Sequence, residues 1–168
     1  MPVQQITKFF TKVFGSRNER MIKTYRRRIE EFNALEPEVR QLADGELRAK
    51  TAEFQERVKN GERVGAMMAN ILAVAREAMD RSVGIRTIFN PEYADQFPVD
   101  KLSSELQSTY KRLAQKAAEL EPVYEPGHRD LVPGWMQMEI PISLYEAVRE
   151  IYPRSRPPFR ARPFDVQL

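Results

Sequence analysis

Proline divides this chain into two regimes. The sequence of 168 residues holds 12 prolines, and most of them lie beyond residue 90. A proline inside a helix removes a hydrogen-bond donor and clashes with the preceding turn, at a cost of about 3 kcal/mol. The first half is therefore free to build long helices. In the second half helices are confined to the gaps between prolines, and turns and extended pieces fill the rest. With 42% hydrophobic and 30% charged residues, the chain has enough apolar surface to bury a core. Its charge of +3 is too small an excess to mark a nucleic-acid protein unless the charge is clustered. The absence of cysteine excludes a disulfide scaffold, a thiolate metal site and a cysteine nucleophile. A single histidine, His128 in a Pro/Gly loop, excludes a multi-histidine metal site. No apolar run approaches the roughly 20 residues of a membrane span, and no secretory signal is evident. These features point to a reducing cytoplasm.

The first half reads as four amphipathic helices. Over Val3–Phe14, the residues Ile6, Phe9, Phe10, Val13 and Phe14 share one face, with Lys8 and Lys12 off it. Gly15 stops this short basic helix. A second helix starts after Ser16 or Asn18, with Met21, Ile22, Tyr25, Ile29 and Phe32 as its stripe, and Pro37 limits it. A third begins near Asp44, carries Leu47, Thr51, Phe54 and Val58 on one side, and ends at Asn60-Gly61. A fourth spans Val64–Val83, with Met68, Ile71, Leu72, Ala75, Met79 and Val83 inward, and Gly84 ends it.

Beyond Asn90-Pro91 one more long helix is expected over residues 100–121, with Leu102, Leu106, Thr109, Leu113, Ala117 and Leu120 near heptad spacing. Alternation over Trp135–Ile142 predicts a strand, paired with Pro122–Glu125. Ser143 and Glu146 have the spacing of a capping box that opens a last helix. Pro153–Pro163 is extended and basic, with Arg154, Arg156, Arg160 and Arg162. Such a run suits phosphate binding, or a solvated tether.

Several stretches resemble the N-terminal end of the SecA family, the ATPase motors of bacterial preprotein export. They are Lys12-Val-Phe-Gly-Ser-Arg-Asn18, Leu35-Glu-Pro-Glu38, and Lys50-Thr-Ala-Glu-Phe54 with Arg57 and Gly61-Glu62. Ala73-Val-Ala-Arg-Glu-Ala78 with Gly84-Ile-Arg86 follows, and the last is Phe164-Asp-Val-Gln-Leu168. The chain departs from the family pattern at Ala43, usually Ser, and at Gly45, usually acidic; Asp44 is expected to cap in place of residue 43. In the family, the equivalent of Gly84-Ile-Arg86 runs almost directly into Phe-Asp-Val-Gln. Here about 77 residues, Thr87 to Pro163, intervene.

The resemblance implies a mainly α fold: the N-terminal helices of a P-loop α/β motor domain, ending before the phosphate loop, with an α+β insertion. The implied division is residues 1–15 as an amphipathic helix, 16–86 as the family's helical segment, 87–163 as the insertion, and 164–168 as the start of an adenine-reading motif. A glutamine amide presents a donor beside an acceptor, which matches adenine and not guanine. On residue chemistry alone Gln167 could equally face solvent; the resemblance assigns it to the base of ATP, with Phe164 beside it and Arg86 lining the pocket. No G-x-x-x-x-G-K-T loop occurs in the sequence, so the chain is expected not to hydrolyse ATP alone, and Mg²⁺ would be bound by parts outside it. The family also implies membrane contact through Lys8, Phe9, Phe10, Lys12 and Phe14. Its implied partners are anionic phospholipid, the preprotein channel of the inner membrane, preproteins and a second motor copy. Its implied location is the cytoplasm, peripheral on the inner face of the plasma membrane. The competing reading is a stand-alone helical adaptor that binds acidic membrane or RNA through Arg154–Arg162.

Overall fold

Among the described residues three α-helices form in the first half, with boundaries that packing has moved. A computed structural model describes residues 17–126 and 129–163. The expected helix over 3–14, His128 and the segment 164–168 lie outside the described residues. Helix α1 is Arg17–Arg40, α2 is Asp44–Lys59 and α3 is Met68–Met79. Asn33 meets Arg76 at 2.7 Å and the Arg40 carbonyl meets Arg81 at 3.0 Å, so α1 and α3 run side by side in the same direction. Helix α2 starts beside the end of α3 and runs back along it. Phe32, Val39, Leu47 and Ala73 form the core between them.

Four first-half expectations are corrected. Pro37 does not limit α1, which continues through it to Arg40. Phe32 and Val39 pack in one core on either side of the proline, and that burial offsets the lost backbone bond. Asp44 does not cap α2. Ala43 occupies the N-cap position, and its N–H donates to Glu46 at 2.7 Å; Asp44 is the first helical residue and is buried. The stripe of α1 is only half used: Met21, Ile22 and Tyr25 are exposed (Tyr25 53%), because α3 begins only at Met68 and no described element reaches them. The fourth helix is not continuous from 64 to 83. A 3-10 turn precedes α3, and a π-helical turn, Asp80–Gly84, follows it, leading into a 3-10 segment, Ile85–Phe89. Val83 is 59% exposed and Met79 45%, whereas Asp80 and Arg81 point inward. The widened turn rotates the charged residues into the interior. The C-terminus of α2 matches its expectation: Asn60 follows the last turn, and Gly61 takes a φ of 92°, which favours glycine.

The second half has its own core. Helix α4 is Ser104–Glu119, with the Ser103 hydroxyl accepting from the Leu106 N–H. One-turn α5, Gly134–Gln137, and α6, Ile142–Ile151, pack around it. Ile85, Ile88, Phe89, Leu102, Leu113, Met138, Leu144 and Val148 are buried together. Tyr110, outside the expected stripe, stacks on Phe89 at 5.1 Å. Among its described residues the expected α+β insertion holds no strand. Among the described residues there are only two isolated bridges, Val123 with Val132 and Arg156 with Arg160. The expected strand fails at its start, where Pro133 opens a helical turn closed by the Met136 N–H on the Pro133 carbonyl at 2.9 Å. Met138 and Ile140 do point inward, but the Ile140 N–H donates to Asp44 at 3.1 Å, not to a sheet. Pro122–Glu125 pairs with Val132 instead. The Ser143–Glu146 capping box does not form: Pro141 holds the N-cap position of α6, and Glu146 pairs with Arg149.

Candidate functional site

The two halves meet through buried charge. Asp44, at the start of α2, accepts from Arg81 at 3.0 Å, Arg86 at 2.6 Å, the Tyr145 hydroxyl at 3.0 Å and the Ile140 N–H at 3.1 Å. Glu77 on α3 accepts from Arg81 and Arg149, each at 2.6 Å. Asp80 on the π turn accepts from Arg160 Nε at 2.9 Å, and Arg149 Nε lies 3.6 Å away. All seven of these charged side chains are buried. Unpaired, each would cost several kcal/mol to desolvate, so the network forms complete or not at all. Burial drives the Tyr145 phenol well above its ordinary pKa, Arg86 pulls it back and Asp44 pushes it further, so the phenol stays a donor. Burial works against the Arg149 charge, but Glu77, Glu146 and Asp80 more than offset it and hold Arg149 protonated.

The network brings the ends of the 87–163 segment together. A Cβ built on Gly84 would lie 2.5 Å from the Ala161 nitrogen and 3.0 Å from the Arg160 Cα. The Thr87 hydroxyl lies 2.7 Å from the Gly84 carbonyl and 2.8 Å from the Pro158 carbonyl. The chain thus leaves at Gly84–Thr87 and returns beside its departure point. Past Arg160 it runs along α1, where Arg162 donates to Glu36 at 2.7 Å. A polar cleft of about 300 Å³ lies there, lined by Asn33, Glu36, Arg40, Arg160 and Arg162 among others. Burial raises the Glu36 pKa, but the Arg162 hydrogen bond and the charges of Arg162, Arg40 and Arg76 outweigh it, and the net shift is downward.

Of the expected site residues, Arg86 is the one described, and it is tied into the ion network. Its Nη2 donates to Asp44 and its Nη1 to the Met136 carbonyl at 3.1 Å, and the residue is buried. Gln167 and Phe164 lie outside the described residues, as do Lys8, Phe9, Phe10, Lys12 and Phe14. The arginine-rich return limb is not a free phosphate-binding strip. Arg160 is buried on Asp80 and Arg162 pairs with Glu36; Arg154 and Arg156 stay exposed, the latter 5.7 Å from the Tyr152 ring. This removes half of the basis for the adaptor reading. Sequence reasoning missed Asp44, Glu77, Asp80, Arg149 and Arg160 as a network. One signal was available: Arg76 with Asp80, and Glu77 with Arg81, are opposite charges at i,i+4 on a helix whose surroundings are apolar. A second cavity, about 960 Å³, opens between α2 and α3, with Leu47, Phe54, Val58, Ile71, Val74 and Met136 on its walls. No helix among the described residues is long and apolar enough to cross a membrane.

Helices in two apolar cores, joined by a buried ion network, define a mainly helical protein among the described residues. The model of the SecA DEAD-like domain matches residues 10–99, and the chain belongs to that family. The match continues past Arg86 into the segment expected to be inserted. The protein translocase subunit SecA of Ralstonia pickettii is 49% identical over 81 residues, 48% of this chain and 9% of that protein. The SecA subunit of Methylibium petroleiphilum is 47% identical over 81 residues, again 48% and 9%. That of Paraburkholderia phymatum is 46% identical over 80 residues, 48% and 8%. The matched part therefore spans less than a tenth of the relatives' length. No solved structure matches.

Proposed function

We propose that the chain supplies the adenine-recognising and membrane-docking part of an ATP-driven motor that pushes preproteins through a membrane channel. The observation that carries this reading is the closure at Gly84. The long segment departs at Gly84–Thr87 and returns beside it at Arg160–Ala161, which suits a segment set into the family's short connection at this point. In this reading Gln167 reads the base, Phe164 packs beside it, and Arg86 lines the same pocket. Bound ATP would supply the phosphoryl group for turnover, with Mg²⁺ and the phosphate loop held outside residues 1–168. Phe9, Phe10 and Phe14 would bury in the headgroup boundary, and Lys8 and Lys12 would add roughly 1 kcal/mol each on anionic lipid. The protein would then sit in the cytoplasm, reversibly on the inner membrane.

The test uses a full-length SecA in which residues 1–168 replace the matching stretch. Gln167→Ala is expected to weaken ATP and ADP equally, by about 1–3 kcal/mol, because both carry the same base. Preference for ATP over GTP should fall with it, since rejection of guanine depends on leaving a polar group unpaired. Phe164→Ala should weaken both nucleotides and leave the preference intact, because an aromatic contact does not read base identity. Unchanged affinity and unchanged preference in Gln167→Ala, with hydrolysis retained, would falsify the adenine assignment. For the membrane part, the intact chain should sediment with vesicles containing anionic phospholipid, and Phe9→Ala/Phe10→Ala should stay in the supernatant.

A further inference from the structure

The cavity of about 960 Å³ follows α2 from Asp44 to Lys59. Leu47, Phe54 and Val58 on α2 form one wall, and Ile71, Val74 and Ala78 on α3 form another. Val132 and Met136 of the 87–163 segment supply a third. Two ties hold that segment against α2: the Ile140 N–H on Asp44 and the Arg48–Glu139 ion pair. Val58 is 44% exposed, so apolar lining stands open to water. The shape limits what can cover it. Asp44 to Lys59 spans about 22 Å along the helix axis, which gives the cavity a mean section of about 44 Å². A helix with its side chains is at least about 10 Å across and needs about 80 Å². A helix is too thick to enter, and a single alkyl chain is not. The lining is also charged, with four basic side chains and two acidic ones. Arg81 and Arg86 are taken up by Asp44, and Arg48 by Glu139. Lys59, at the other end of α2 from Asp44, is exposed and has no carboxylate partner among the described residues.

We infer that this groove binds a long-chain fatty acid, with the alkyl chain between α2 and α3 beside Met136 and the carboxylate on Lys59. The chain gains with each methylene it buries, and the length of the groove sets where that gain stops. The pair at Lys59 is exposed, so it selects an anionic head more than it adds affinity. Lined wholly by described residues, the site stands apart from the adenine and membrane readings. It also gives the 87–163 segment a task, since Val132 and Met136 close a side that α2 and α3 leave open.

Titration calorimetry and methyl NMR on the full chain test it. Across decanoate, dodecanoate and tetradecanoate, each below its micelle concentration, affinity should rise about tenfold per added pair of methylenes. Dodecyltrimethylammonium, with the same chain and a cationic head, should bind at least tenfold more weakly than dodecanoate. Dodecanoate should shift the methyls of Val58, Ile71, Val74 and Met136 and leave those of Leu144 and Val148, in the second core, unmoved. Lys59→Glu should weaken dodecanoate at least fivefold, and Lys59→Arg should keep it. Val58→Asp, a carboxylate set in the exposed wall, should also weaken it at least fivefold. Equal binding of the two head groups overturns the proposal. So does affinity that ignores chain length, full affinity in Lys59→Glu, or binding that leaves the groove methyls unmoved. A two-chain anionic phospholipid, dihexanoyl phosphatidylglycerol, that shifts the same methyls and binds more tightly than dodecanoate overturns it as well. Dimerisation of the ligand-free chain with broadening confined to these methyls does the same, since a second copy would then cover the groove.

Discussion

Asp44 shows how much one side chain can organise. Its two oxygens take two guanidiniums, a phenol and a backbone N–H contributed by two distant stretches of chain, 81–86 and 140–145. Removing it leaves the buried Arg86 without its carboxylate and Arg81 with Glu77 alone. Asp44→Ala is therefore expected to cost about 3–5 kcal/mol, read as a lower urea midpoint. Tyr145→Phe removes one hydrogen bond to a charged acceptor and should cost about 1.5–3 kcal/mol. The two losses should not add, since they share one carboxylate. Glu36 supplies the pH dependence. Its folded pKa lies below the ordinary value of 4.5 that the unfolded chain retains. Its contribution is present in full above that value and is lost as pH falls through the lower folded one. Wild type should thus lose stability on acidification below about pH 4.5 more steeply than Glu36→Gln, as followed by thermal melts across the acid range.

At the level of elements, the tight approach at Gly84 sets the register between the π turn and the return limb. The neighbour of a new Cβ would be the Ala161 nitrogen at 2.5 Å, backbone that Asp80 and Arg160 hold in place. Gly84→Ala is expected to destabilise by about 1–3 kcal/mol, the cost of overpacking a site that cannot yield. Gly45, near the start of α2, makes the control. Nothing lies within 4 Å of its built Cβ and its φ is helical, so Gly45→Ala should stabilise by about 0.5–1 kcal/mol. Matching melts for the two variants would contradict this assignment of space. Pro37 is the element-scale surprise. Local chemistry argues for a break at that position, yet apolar residues on both sides of it share one core, and packing overrides propensity.

For the whole molecule, two apolar cores, one around Phe32 and one around Leu144, are joined across the buried ion network. Purified chain should give a helical circular dichroism signal with little strand contribution, and no steady phosphate release from ATP above a contaminant control. What could be read from residues alone was local. Period-3.6 stripes located α2, α3 and α4, Asn60-Gly61 located the end of α2, and ordered motifs located the family. These depend on near neighbours in sequence, so they survive without a partner. The failure of the strand expected over 135–142, the failure of Asp44 and Ser143 to cap, and the inward face of Asp80 and Arg81 were not legible. Each depends on which distant group meets a polar atom once it is buried. Ile140 has an N–H that a sheet or a carboxylate could satisfy equally well, and Asp44, 96 positions away, answers it. Packing also made that choice for Arg160 and Arg86, whose charges a sequence assigns to solvent or a ligand and whose burial binds them to carboxylates of the first half.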